Sequence, residues 1–297
     1  MKYLDIILKS YLNYFNYLKI ELIYPNWDNY FYGLLIISLS VWILELLFPW
    51  RKNQPVFRKG FWLDLFYMFF NFFILNLILL IALSNLASTL VNDFLSLFNL
   101  QLTSIKIIDL SQFSKPLALL VFFVVSDFIQ YNTHRLLHKV PLLWQIHKVH
   151  HSAKQMGFAT HFRYHWLEPI IYKSIIYIPL ILIGGFNLQD VFIVHFVAIS
   201  IGHLNHANLG WNYGFFKYIF NNPKMHIWHH GKTLPNKNGI NFAISLSIWD
   251  YIFKTDYIPS DGKNIELGFQ NEESFPQSFV MQESVYNLKN KFYENKN

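Results

Sequence analysis

Asn222-Pro-Lys-Met-His226-Ile-Trp-His229-His230 sets three imidazoles at spacings of three and four. On a helix those three share one face. His147-Lys-Val-His150-His151 repeats the pattern, and His134-Arg-Leu-Leu-His138 places two more one turn apart. All 13 histidines of the chain fall between positions 134 and 230. A lone histidine is most simply a satisfied core residue, but that reading does not explain three clusters with same-face spacing. Imidazole suits Zn, Fe, Cu and Ni. Eight clustered imidazoles exceed what one tetrahedral or octahedral ion takes, so the pattern predicts two metals.

The rest of the chain reads as a scaffold in a membrane. Of its 297 residues 53% are hydrophobic and 14% charged, against roughly a quarter charged in a soluble domain. Apolar segments are expected at 32–48, 61–87 and 116–131, followed by a hairpin of 169–186 and 188–201 turning at Gly184 and Gly185. Asn71 and Asn76 inside the second segment are expected to bond a neighbouring helix. Residues 88–115 form the far connection, with a short interfacial helix around Val91, Phe94, Leu95 and Phe98. The first two dozen residues suit an amphipathic helix, either on the membrane surface or packed on the bundle. Arg51, Lys52, Arg58 and Lys59 put the first loop in the cytoplasm, and the third helix is expected to continue past the bilayer with His134 and His138. Returning through the hairpin places residues 203–230 on that same side.

The expected fold is therefore all-α: an integral membrane helical bundle with a cytoplasmic, histidine-rich di-metal cap. Its parts are residues 1–115 (amphipathic and transmembrane helices), 116–255 (the histidine-bearing unit) and 256–297 (a polar cytoplasmic tail). The net charge of +6 is dispersed, which suits a membrane face and gives no nucleic-acid footprint. The chain has no Cys, which excludes disulfides, thiolate-bound haem and cysteine-held iron–sulfur clusters. Asp127, Glu168 and Asp250 are the carboxylates expected to accept from the outward ring nitrogens of the ligands.

These residues resemble the fatty acid hydroxylase/sterol desaturase superfamily of membrane di-iron enzymes. Asp127-Phe-Ile-Gln-Tyr-Asn-Thr-His134-Arg-Leu-Leu-His138 looks like its first histidine box, and His147-Lys-Val-His150-His151 like its second. Thr160-His-Phe-Arg163-Tyr-His165-Trp-Leu-Glu168 resembles its Thr-x-x-Arg-x-His-x-x-Glu segment, His206-Ala-Asn208 its His-x-Asn element, and Pro223-x-x-His226-x-x-His229-His230 its third box. The resemblance implies ligands at His134, His138, His147, His150, His151, His226, His229 and His230, with His206 as a ninth. Some members carry a His pair four apart here, whereas position 202 is Gly; His203 is the candidate substitute. His165 and Asn208 are further candidates near the metals. His161 is expected to be a surface or packing residue, and His195 a hydrogen bonder inside its helix.

The resemblance also implies two Fe ions, O2 as oxidant, zinc as a replacement in purified protein, and a lipid whose C–H bond is hydroxylated or desaturated. Electrons must come from a separate reductase, because the chain has no Gly-x-Gly-x-x-Gly fingerprint and no cluster-holding Cys. The rivals are a membrane metal-dependent hydrolase and a non-enzymatic metal- or haem-binding membrane protein. A zinc protease would want His-Glu-x-x-His, which is absent. A transporter would place its ligands near the bilayer midplane, and a cytochrome would pair histidines inside spanning helices.

Overall fold

The computed structural model describes residues 1–101, 106–186, 188–236 and 238–284. The expected tail lies outside the described residues beyond position 284. Helix α1 spans Lys2–Ile23 and α2 spans Tyr30–Leu47. One long helix, α3, runs Phe61–Ser96, and α4 runs Lys115–Lys139. Among the described residues, α2, α3 and α4 are long and apolar enough to cross a membrane. The outward face of α2 carries Ile36, Leu39, Ile43 and Leu46, while Ser38 and Glu45 are buried inward. That is the arrangement hydrocarbon demands: apolar groups outside, polar groups satisfied within the protein.

Two departures from the expected elements stand out. The second segment does not end near residue 87 but continues as helix to Ser96, absorbing the short interfacial helix. It accommodates two π-helical stretches, Phe70–Ile74 and Asn76–Leu80. Asn71 sits in the first of these and donates to the carbonyls of Phe162 and Tyr164, at 2.9 and 2.8 Å. It thereby ties α3 to the loop beside the histidines. Asn76 accepts from Lys173 at 2.7 Å. Helix α1 packs along α3 in antiparallel fashion. Lys2 pairs with Asp93, Asn85 donates to Ser10 at 2.8 Å, and Tyr11 donates to the Ile78 carbonyl at 3.1 Å.

Helix α5 (Pro141–His151) follows α4 after one residue and starts on a proline, which fits the first turn of a helix. Helices α6 (Leu167–Leu182) and α7 (Leu188–His206) form the hairpin. Two short strands, β1 (Ile108–Asp109) and β2 (Ile183–Gly184), pair in parallel and join the hairpin turn to the connection before α4. The hairpin turn and that connection therefore lie together at the end away from the histidines. Three short α-helices follow among the described residues: α8 (Pro223–His229), α9 (Ile248–Phe253) and α10 (Phe279–Glu283). The last described segment folds back over the histidine region. Gly268 donates to the His230 carbonyl at 3.0 Å, and Phe279 packs on Tyr67.

Candidate metal centre

The ends of α4, α5, α7 and α8 converge, and each brings imidazoles on one face. In α8 the start is fixed locally. Asn222 caps the helix by accepting from the Met225 N–H at 3.1 Å, and Pro223 occupies the first turn. His226, His229 and His230 then point into the centre. The imidazoles sort into two groups. His134, His138, His147, His151 and His229 form one; His150, His206, His226 and His230 form the other. Within each group every contributing nitrogen lies within 4.8 Å of the rest.

The chemistry of these nitrogens fits a cation in each group. His134 donates through Nδ1 to the Phe242 carbonyl at 2.7 Å, and His147 Nδ1 lies 3.1 Å from Glu168. Their Nε2 atoms are then both lone pairs, yet they stand 3.1 Å apart. The second group repeats this. His150 donates to the Arg163 carbonyl at 3.2 Å and His206 to the Gly202 carbonyl at 2.7 Å, and their Nε2 atoms face each other at 3.2 Å. His226 Nε2 lies 3.0 Å from that of His206 and 3.2 Å from that of His230. His138, His151 and His229 each turn a buried Nε2 inward with no hydrogen-bond partner. Protonation does not resolve the contacts. Burial first, and then the neighbouring imidazoles, hold His147, His151, His226 and His230 well below the usual imidazole pKa. Converging lone pairs, with the outward nitrogens of His134, His147, His150, His206 and His229 anchored on oxygen, are what a metal requires of histidine.

The carboxylates do different jobs. Of Asp127, Glu168 and Asp250, Glu168 touches a ring directly. Asp250 accepts from the backbone N–H groups of Phe242 and Ala243, both at 2.9 Å, and Asp127 from those of Ser245 and Leu246 and from the Trp249 indole. They stiffen the loop whose Ile240 and Phe242 carbonyls hold His229 and His134. Asn208 lies away from both groups and bonds the backbone of Arg51. His165 accepts from the Leu167 N–H at 3.2 Å. His203 is outside both groups, with Nδ1 on His161 and Nε2 on Ser38. His195 stacks on Phe72 on a cavity wall, and His161 is packed against His206.

Sequence reasoning passed over Asp64. It is fully buried between Arg58, at 2.8 Å, and Arg163, at 3.1 Å, and it also accepts from Thr160 at 2.8 Å. This fixes the Arg163 backbone on which His150 leans. Glu45 similarly accepts from the N–H groups of Phe158 and Asn208. Both acids sit near the ends of apolar runs, where their signal is indistinguishable from that of a helix-end charge.

Two cavities reach the centre from different sides. One of about 570 Å³ is lined by His138, His151, Trp144, Lys148 and Lys232. The other, about 270 Å³, is lined by His134, His150 and His206 with Phe162, Tyr164 and Tyr172. A third of about 180 Å³ shares Gln130, Lys173, His195 and Ala198 with the second and continues between α4 and α7 past Phe122 and Val194. The second and third together make an elongated, mostly apolar channel that begins at the histidines.

Residues 119–255 match the fatty acid hydroxylase family model. The ornithine lipid hydroxylase OlsE of Rhizobium tropici is 32% identical over 145 residues, 49% of this chain and 43% of that protein. Human alkylglycerol monooxygenase is 36% identical over 137 residues, 45% of this chain and 29% of that protein. The methylsterol monooxygenase erg25B of Aspergillus fumigatus is 26% identical over 147 residues, 47% of each chain. The matched region thus spans less than half the length of these relatives. No solved structure matches the chain.

Proposed function

We propose, for a chain whose residues 119–255 match the fatty acid hydroxylase family model, that it is a membrane-bound di-iron oxidoreductase that uses O2 to hydroxylate or desaturate a C–H bond of a lipid. The observation that carries this reading is the pairing of two all-imidazole groups with an apolar channel that starts at them. The nine imidazoles would hold two irons. Bound iron would supply activation of O2 and removal of hydrogen from an unactivated C–H bond.

The chain's own residues supply position and environment. Glu168 and the carbonyls of Arg163, Gly202, Ile240 and Phe242 fix the ring orientations. Phe162, Tyr164 and Tyr172 wall the channel and keep water from the reacting carbon. An alkyl chain lying between α4 and α7 would present a methylene to the centre while remaining in apolar surroundings. The loop bearing Arg51, Lys52, Arg58 and Lys59 packs on the histidine side, since Arg51 bonds Asn208 and Arg58 bonds the Gln155 carbonyl. By the positive-inside rule, the charge of that loop supports a centre on the cytoplasmic side. There a separate reductase or ferredoxin-like protein would deliver electrons, and the polar cavity beside Trp144 and Lys148 is the side open to it.

The test is to load purified protein with ferrous iron in lipid nanodiscs, add O2 and a reducing partner, and analyse the lipids by mass spectrometry. Lipids carrying one added oxygen or one new double bond are expected, dependent on the donor. Turnover without any donor would contradict the partner assignment. Hydrolysed lipid, with no oxidised product from the fully loaded protein, would contradict the reaction.

A further inference from the structure

The two histidine groups are unequal: five imidazoles in one, four in the other. The deficit has a location. On α7 the position one turn before His206 is on the same helical face, and that position is Gly202. The space a side chain would enter there is filled. An added Cβ at Gly202 would collide with Cε1 and Nε2 of His161, which arrives from the loop before α6. The absence of a side chain at 202 is therefore matched by the presence of an imidazole from elsewhere in the chain.

His161 is also mounted as a ligand would be. Its Nδ1 lies 3.0 Å from Nδ1 of His203, and Nε2 of His203 lies 3.0 Å from the Ser38 hydroxyl. The chain Ser38–His203–His161 is buried at His203 and fixes one nitrogen of His161. A metal-ligating histidine usually has its other ring nitrogen held by a polar partner, as Nδ1 of His161 is held by His203, while Nε2 of His161 lies over Gly202 at the edge of the four-histidine group. The His161 ring stacks on His206 at 5.2 Å between centroids and 27° between planes. It lines the same cavity as His150, His206 and His226.

Resting on the di-metal reading above, we propose that His161 is the fifth imidazole of the second metal, standing in for the residue that Gly202 cannot supply, with His203 and Ser38 as its positioning residues. In this structure His161 stands outside the group of four, beside His206. Ligation draws its Nε2 onto the ion while Nδ1 stays on His203. His203 itself is not a ligand, because both of its nitrogens are engaged.

The test measures metal per chain and the rate of metal loss to a chelator, neither of which needs turnover. The proteins are the wild type, His161→Ala, and His161→Ala/Gly202→His. His161→Ala should keep the ion of the five-histidine group and lose the other at least tenfold faster. The double variant should restore retention, because removing the His161 ring opens the space a side chain at 202 needs. Millimolar imidazole should slow the loss from His161→Ala and leave the wild type unchanged. Two metals held by His161→Ala at the wild-type rate would overturn the assignment while leaving the di-metal reading intact. Loss of both metals, regained with neither imidazole nor Gly202→His, would mark His161 as a folding residue and overturn it as well. A wild type that binds no metal would remove both readings together.

Discussion

The five-histidine and four-histidine groups lie side by side but are held by different parts of the protein. The first leans on the loop around Ile240 and Phe242, which Asp250 and Asp127 stiffen, and on Glu168. The second leans on Arg163, which Asp64 anchors from α3, and on the backbone of α7 itself. Glu168 aside, one group thus depends on the segment after the last histidines, the other on a membrane helix that comes before all of them. A shared centre built on separate supports can be disturbed one half at a time.

Of the substitutions, the largest effect is expected at Asp64. Asp64→Ala leaves Arg58 and Arg163 buried without their carboxylate, at a cost of about 3–5 kcal/mol. Thermal unfolding in detergent should show the loss, and metal analysis should show the second group emptied before the first. Equal depletion of both would break the comparison. Glu168→Gln should act on the opposite half. It weakens the acceptor for His147, and metal affinity of the five-histidine group should fall by roughly 10–100-fold with the other group retained. Competition with a chelator series measures this.

An effect on the apoprotein, set by several imidazoles together, concerns pH. Burial keeps His147, His150, His151, His226, His229 and His230 neutral in the folded apo protein, below their ordinary pKa. The unfolded chain takes up these protons as pH falls through about 6.5. Stability is therefore full above that value and declines below it, by about 1.4 kcal/mol per pH unit for each imidazole that titrates only when unfolded. Apo-protein melting at pH 8 and pH 5.5 checks the sign; greater stability at the lower pH would contradict it. The smallest effect on the metals is expected from Ala198→Phe. It fills the channel between α4 and α7, so lipid turnover should stop while both ions stay bound. Undiminished oxidation of lipid would remove the channel from the account.

Much of this was legible in the sequence because it depends on periodicity. Apolar runs of sufficient length marked α2, α3 and α4, and same-face spacing marked the imidazoles of α4, α5 and α8. What could not be read depends on where backbone goes. The anchors of His134, His150, His206 and His229 are carbonyl oxygens, which every residue has. The extension of α3 to Ser96 was hidden by polar residues that pair with α1, such as Asn85 and Asp93. The contact of His161 with the space over Gly202 joins positions 41 apart, and neither residue announces the other. Asp127 and Asp250 were expected to accept from ligand rings, but they accept from the backbone of the loop at 242–246 instead.

The central claim is that nine converging imidazoles build one two-metal centre, and metal content tests it most directly. His229 belongs to the five-histidine group and His230 to the four-histidine group, so His229→Ala/His230→Ala withdraws one nitrogen from each. Detergent-purified wild type from iron-supplied cells should carry about two ions per chain, and the folded double variant should lose both. A folded wild type with no bound metal, or a double variant that keeps two, would contradict the account.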